Sequence, residues 1–107
     1  MKKEKNCSET EFDILRKIEK NPELTQRQIS KQLGISLGKT NYLIKALLTK
    51  GLLMIENFKT SKNKLGYLYV LTPKGIETRR KLTIIFFKRK SEEFDKLKEE
   101  IEITKKL

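Results

Sequence analysis

Between Leu37 and Leu47 the side chains fall into two sets that would lie on opposite faces of an α-helix. The face predicted to point inward consists of Thr40, Leu43, Ile44 and Leu47. The opposite face bears amide, phenol and ammonium groups and no carboxylate; its members are Leu37, Gly38, Lys39, Asn41, Tyr42 and Lys45. Ammonium groups attract phosphate, and an asparagine amide can pair with the edge of adenine. We therefore predict a helix that lies in a DNA groove. The side chains expected at base edges and flanking phosphates are Lys39, Asn41, Tyr42 and Lys45.

A shorter helix before this one is predicted to position it. Thr25 and Gln28 have the types and spacing of a capping box, so a helix should begin after Thr25. Gly34 stands where a left-handed residue commonly ends a helix, and Ser36 can cap the next one. This arrangement is a helix-turn-helix, which also occurs in helical domains that bind nothing. The residues expected to contact phosphate or the DNA backbone are Gln26 and Arg27 of the first helix and Ser36, Leu37 and Gly38 at the start of the second.

Further elements are predicted on both sides of the helix-turn-helix. Ser8 and Glu11 form a second capping box, opening a helix that ends before Pro22. After Gly51 the pattern changes to two β-rich segments, 52–58 and 65–71, which indicate a hairpin. The basic residues expected at its tip are Lys59, Lys62 and Lys64. They can contact a phosphate backbone or a minor groove, or they can belong to a solvated loop.

A long helix is predicted to begin at Thr72-Pro73 and to run to about Lys106. Its apolar residues Ile76, Leu82, Ile85 and Phe86 suit packing on the domain. Further along, a partial heptad pattern is formed by Phe87, Phe94, Leu97 and Ile101. We expect this pattern to be a dimerisation seam. The alternative is an amphipathic helix that folds back on its own domain.

The predicted fold is mainly α with a small β-wing: a winged helix-turn-helix domain plus a long C-terminal helix. We expect a disordered N-terminus over residues 1–7, a DNA-binding domain over 8–75 and a dimerisation helix over 76–107. Cys7 is then an incidental thiol, with redox sensing as the alternative.

The charge distribution favours a polyanionic partner. The chain of 107 residues has a net charge of +11. Residues 25–75 hold nine basic residues and one acidic residue, a net charge of +8. This excess lies on the helix-turn-helix and the hairpin, as expected for a surface that meets nucleic acid. A membrane surface is the competing polyanion, but no segment combines a large apolar face with a lysine-rich one.

The residue inventory argues against catalysis. The chain has no histidine, so the usual general base is missing. Its single cysteine cannot form a thiolate zinc site, and its five glycines are isolated from one another and form no phosphate-binding loop. We expect no enzyme activity, no cofactor and no metal. The single cysteine excludes an internal disulfide, and no signal peptide or transmembrane run is evident, so cytoplasmic residence is expected.

The chain resembles the MarR family of bacterial transcriptional regulators over about residues 10–90. The resemblance rests on NPELTQRQISKQLGISLGKTNYLIKALLTKGL (21–52), NFKTSKNKLGYLYVLTPKGI (57–76) and the basic terminal helix. Through SLGKTNY and NFKTSKNKLGY it is similar to a small subgroup associated with exopolysaccharide gene clusters. The family resemblance implies a winged-helix fold, homodimeric binding of double-stranded DNA and control of transcription. The subgroup alone implies control of exopolysaccharide genes. Typical members are longer and often hold a small aromatic ligand between their terminal helices, whereas the N-terminal extension here is short.

These observations lead to one functional hypothesis and two alternatives. The hypothesis is a homodimeric, sequence-specific regulator that binds a pseudo-palindromic operator. The first alternative is a winged-helix protein–protein interaction module. The second is a nonspecific architectural or RNA-binding protein, whose affinity would ignore sequence.

Overall fold

The chain forms four helices and one two-stranded sheet over the residues that the computed structural model describes, 7–58 and 66–107. The elements are α1 (Glu9–Lys20), α2 (Gln26–Leu33), α3 (Leu37–Thr49), β1 (Leu53–Phe58), β2 (Gly66–Leu71) and α4 (Pro73–Lys106). This order confirms the predicted fold class, mostly helical with a small wing and a long C-terminal helix.

The helix starts follow the predicted capping chemistry. Ser8 with Glu11 and Thr25 with Gln28 each form a complete capping box. The Ser36 hydroxyl accepts a hydrogen bond from the Lys39 backbone N–H at 3.0 Å. These local bonds satisfy backbone N–H groups that a helix N-terminus otherwise leaves unpaired. The turn between α2 and α3 is therefore determined by residues close in sequence.

The hydrophobic core lies where α1, α2, α3 and the first part of α4 meet the base of the wing. Its most buried side chains are Ile14, Leu15, Ile18, Ile29, Thr40, Ile44 and Leu47. Cys7 also belongs to this core, so this residue is not part of a disordered terminus as the sequence suggested; residues 1–6 of the expected disordered segment lie outside the described residues. The Cys7 side chain packs with apolar neighbours, and burial, together with the Glu11 carboxylate, raises the pKa of the thiol.

The wing is an antiparallel hairpin whose register runs from the Leu53–Leu71 pair to the Phe58–Gly66 pair. Its strands confirm the predicted change of period after Gly51. The predicted tip residues Lys59, Lys62 and Lys64 lie outside the described residues.

Helix α4 is 34 residues long, about 51 Å at 1.5 Å per residue. It begins at Pro73, so the expected boundary after residue 75 falls inside its first turn. Leu82 and Phe86 are buried, and the Phe86 ring lies 5.0 Å from that of Phe12 in α1. Ile85 was expected on the same face but is 49% exposed, because Phe86 takes the place next to α1. The outer part of α4 extends beyond the domain, and the molecule measures 65 × 30 × 22 Å.

The segment LTPKG joins α4 firmly to the end of α3. The Thr72 hydroxyl accepts from Gly75 N–H at 2.9 Å and donates to the Gly51 carbonyl at 2.6 Å. The Lys74 ammonium donates to the Lys50 carbonyl at 3.2 Å. Gly75 packs so closely on the Leu52 carbonyl that a Cβ atom would overlap it. We call these contacts the α3–α4 junction.

Candidate nucleic-acid interface

Helix α3 has one buried face and one face open to solvent. The buried face is the predicted one: Thr40, Leu43, Ile44 and Leu47. The Thr40 hydroxyl donates to the Ser36 carbonyl at 3.0 Å, so its burial leaves no polar atom unsatisfied there. On the open face Tyr42 is 71% exposed, and Lys39 and Lys45 are exposed beside it. These three side chains can reach a partner without any rearrangement of the core.

The cations of this face are available to an external anion. Within residues 7–58 and 66–107, Arg27, Lys39 and Lys45 make no ion pair with a carboxylate. Lys50, the C-cap residue of α3, is different, because its ammonium lies 3.1 Å and 3.2 Å from the two carboxylate oxygens of Glu11. The positive charge of the open face is thus not neutralised locally, which favours phosphate.

The N-termini of α2 and α3 meet at one open cleft. The cleft is lined by Thr25, Gln26, Arg27, Leu37, Gly38 and Asn41. Neither helix has an acidic residue in its first turn. A helix N-terminus carries a partial positive charge and unpaired N–H groups, so two of them together favour an anion at this cleft. Arg27 adds a full positive charge at the same place.

A chain of hydrogen bonds connects the wing, α2 and α3. The Asn41 amide donates from Nδ2 to Gln26 Oε1 at 3.2 Å, and Gln26 Nε2 donates to the Tyr69 phenol oxygen at 3.0 Å. Asn41 and Gln26 are both half-buried. Asn41 thereby keeps one amide hydrogen and its carbonyl oxygen for a partner, the pair that adenine recognition requires.

The structure brings together most of the side chains that the sequence singled out. Those of α2 and α3 border one surface, at the cleft or along the open face of α3, and the three wing lysines lie outside the described residues. Tyr69 is an addition that the sequence reasoning missed. It lies 43 residues from Gln26 in the chain, and no local pattern distinguishes it from its neighbours in β2.

The described part of the chain contains no group of three or more histidine, cysteine, aspartate or glutamate residues that could hold a metal ion. Over the same residues, no helix has both the length and the apolar character needed to cross a membrane.

Comparisons with known proteins agree with this geometry. Residues 8–54 match the family of winged helix-turn-helix DNA-binding domains. FabT of Streptococcus pneumoniae, solved in complex with DNA, is similar at 30% identity and a TM-score of 0.61, over 84% of this chain and 61% of FabT. MarR of Staphylococcus aureus, solved with salicylate and kanamycin, has 27% identity and a TM-score of 0.58, over 80% of this chain and 56% of that one.

The Multiple Antibiotic Resistance Repressor MarR matches in fold, with 22% identity and a TM-score of 0.68, over 84% of this chain and 64% of the repressor. The chain thus spans less than two thirds of each of these three proteins. No curated protein matches it. The matched segment, the two-stranded wing and the long α4 together show that the chain has a winged helix-turn-helix fold of the MarR-like kind.

Proposed function

We propose that the protein is a homodimeric transcriptional regulator of the MarR type that binds a pseudo-palindromic DNA operator through α3. The observation that carries the proposal is the open face of α3, which is cationic, free of carboxylates and bordered by two helix N-termini. The similarity to FabT, which was solved in complex with DNA, supports the same partner. Binding to DNA would place the protein in the cytoplasm.

Each part of the surface has a distinct proposed role. Asn41 reads a base, with Lys39, Tyr42 and Lys45 at neighbouring base edges and phosphates. The N–H groups at the start of α3, near Ser36, Leu37 and Gly38, approach the DNA backbone. In α2, Arg27 binds phosphate, whereas the side chain of Gln26 holds Asn41 and lies beside the same phosphate cleft. From the sequence, Lys59, Lys62 and Lys64 would contact the flanking DNA.

The homodimer is proposed from the apolar residues on the outer part of α4. Phe87, Phe94, Leu97 and Ile101 are between 54% and 69% exposed in the single chain. An uncovered apolar row of this length usually marks an interface. A second copy that covers it would also supply the second α3 needed for a pseudo-palindromic site.

Selection of bound sequences from a random duplex pool, repeated at two salt concentrations, tests the DNA partner. We expect enrichment of one inverted repeat and an affinity that falls steeply with salt. Binding that ignores sequence would instead support the architectural alternative. Absence of any salt-dependent binding would support the protein interaction module.

Single substitutions test the assigned surface. Lys45→Ala should reduce the magnitude of the slope of log affinity against log salt by about 1.8, because each copy of the homodimer loses one phosphate contact and the complex therefore loses two. Lys96→Ala, an equal change of charge on the outer part of α4, is the matched control and should leave the slope unchanged. Equal slopes for the two variants would remove Lys45 from the interface.

Control of exopolysaccharide genes is the narrower form of the proposal and is supported by the subgroup resemblance. Its test is the position of bound sites in the genome of the source organism. We expect them upstream of exopolysaccharide biosynthesis genes. Sites confined to other promoters would rule out this narrower assignment without affecting DNA binding.

A further inference from the structure

The outer part of α4 has a heptad pattern whose core and flanking positions can be assigned separately. With Phe94 and Ile101 at positions a, Leu97 falls at position d. These three side chains are between 54% and 61% exposed. The preceding d residue, Lys90, pairs with Glu9 of α1 at 3.1 Å, so α4 is still tied to its own domain there. The stretch from Phe94 onward is where a partner helix has room to pack.

The flanking positions carry opposite charges in a regular order. Position g is glutamate in two successive heptads, Glu93 and Glu100, and position e is lysine in two, Lys98 and Lys105. Each glutamate stands five residues before a lysine. Residues five apart do not face each other on one helix, where neighbours are three or four apart. The repeat of glutamate at g and lysine at e is therefore not explained by contacts between these two positions within a single α4.

The Lys98 side chain lies along the edge of the seam. Its ammonium is 5.7 Å from the centroid of the Phe94 ring. A lysine at position e covers the core with its methylene groups and presents its charge to the facing helix. This position is the one from which it can meet a glutamate of a second chain.

The two orientations of a helix pair bring different flanking positions together. In a parallel pair, position g of one helix meets position e of the next heptad of the other. Glu93 then faces Lys98 of the second copy, and Glu100 faces Lys105 of the second copy. In an antiparallel pair, g meets g and e meets e, so glutamates face glutamates and lysines face lysines. Only the parallel arrangement makes all of these contacts attractive.

We propose that two copies pair through α4 as a parallel, in-register coiled coil centred on Phe94, Leu97 and Ile101. The proposal deepens the homodimer of the proposed function and rests on it. A parallel pair places both winged domains at the same end, where two α3 helices can meet one duplex. An antiparallel pair would place them at opposite ends of the pair of helices, each about 51 Å long, whereas adjacent half-sites lie about 34 Å apart.

Charge exchange at positions e and g tests the orientation by sedimentation equilibrium of the full chain. Glu93→Lys with Glu100→Lys turns four attractive contacts into repulsive ones, so the dimer dissociation constant should rise about 100-fold. Adding Lys98→Glu and Lys105→Glu to that variant should return the constant to within about threefold of its original value. In an antiparallel pair the first variant keeps like charges opposed, so an unchanged constant would overturn the proposal.

An introduced thiol tests the register independently. In a Cys7→Ala background, Thr104→Cys places a cysteine at position d near the end of the seam. Parallel chains bring the two thiols together, so mild oxidation should give a covalent dimer. The matched control is Lys106→Cys at the outward position f, two residues away, which should remain mostly monomeric under denaturing electrophoresis. Equal cross-linking of both variants, or none at residue 104 in a protein that is dimeric, would overturn the parallel arrangement.

These experiments separate failure of the orientation from failure of the proposed function. A chain that is dimeric but insensitive to the charge exchange would overturn the orientation alone and leave DNA binding by a homodimer in place. A chain that stays monomeric at every concentration tested, with and without operator DNA, would overturn the orientation and the homodimer together.

Discussion

The hydrogen-bonded chain from Tyr69 through Gln26 to Asn41 makes a quantitative prediction about base preference. Tyr69→Phe removes the phenol oxygen, so Gln26 Nε2 loses the acceptor that lies 3.0 Å away. A hydrogen bond of this kind contributes about 1 kcal/mol net. That energy is the most by which Tyr69 can hold the Asn41 amide in one orientation. The preference for the base that Asn41 reads should therefore fall by no more than about fivefold.

Asn41→Ala should have a larger effect, because it removes the reading group itself. A bidentate amide–adenine contact discriminates by about 1–3 kcal/mol. The assay is competition binding with duplexes that differ at one base pair, for the original chain, both single variants and the double variant. If Tyr69 acts through Asn41, then Tyr69→Phe should change nothing in the Asn41→Ala background. An equal loss in both backgrounds would refute the positioning role of Tyr69.

Three further predictions concern the stability of the domain, measured by urea denaturation. Gly75→Ala should cost about 2 kcal/mol, because the added Cβ overlaps the Leu52 carbonyl, whereas Gly38→Ala, which meets open space, should gain about 0.5–1 kcal/mol. Lys50→Met should lower the free energy of unfolding by about 2 kcal/mol, because it leaves the Glu11 carboxylate buried without its cation. The loss should be smaller than for a fully buried ion pair, since Lys50 is 34% exposed. Adding Glu11→Gln to this variant should recover part of the lost stability. Because the pKa of the Cys7 thiol is raised in the folded chain, the folded chain keeps a proton that the unfolded chain loses above pH 9.0. The free energy of unfolding should therefore fall above pH 9.0. Cys7→Ala should abolish the part of this pH dependence that the thiol causes.

The features predicted correctly from sequence are those set by neighbouring residues. The capping boxes at Ser8 and Thr25 and the inward face of α3 depend on side chains three or four positions apart. The start of α4 at Thr72-Pro73 is equally local, because the hydroxyl caps the helix and proline needs no N–H partner at N1.

The features that sequence reasoning missed are contacts between distant segments. The bond between Gln26 and Tyr69 depends on where the wing crosses α2, and the burial of Cys7 depends on how α4 lies against α1. The exposure of Ile85 has the same origin, since only one of two adjacent apolar residues on a helix can meet a given neighbour. No periodicity within one segment encodes these distances.

The α3–α4 junction has a consequence for the geometry of operators. Residues 72–75 hold the start of α4 against residues 50–52, which directly follow α3, and Gly75 lies in close contact with the Leu52 carbonyl. In the proposed dimer each α3 is therefore held rigidly relative to its α4, and we expect the distance between the two α3 helices to be fixed. Inserting one base pair between half-sites moves the second by 3.4 Å and rotates it by about 35°. A rigid α3–α4 junction cannot follow that rotation. The protein should therefore bind operators in which the number of base pairs between the two half-sites has a single value.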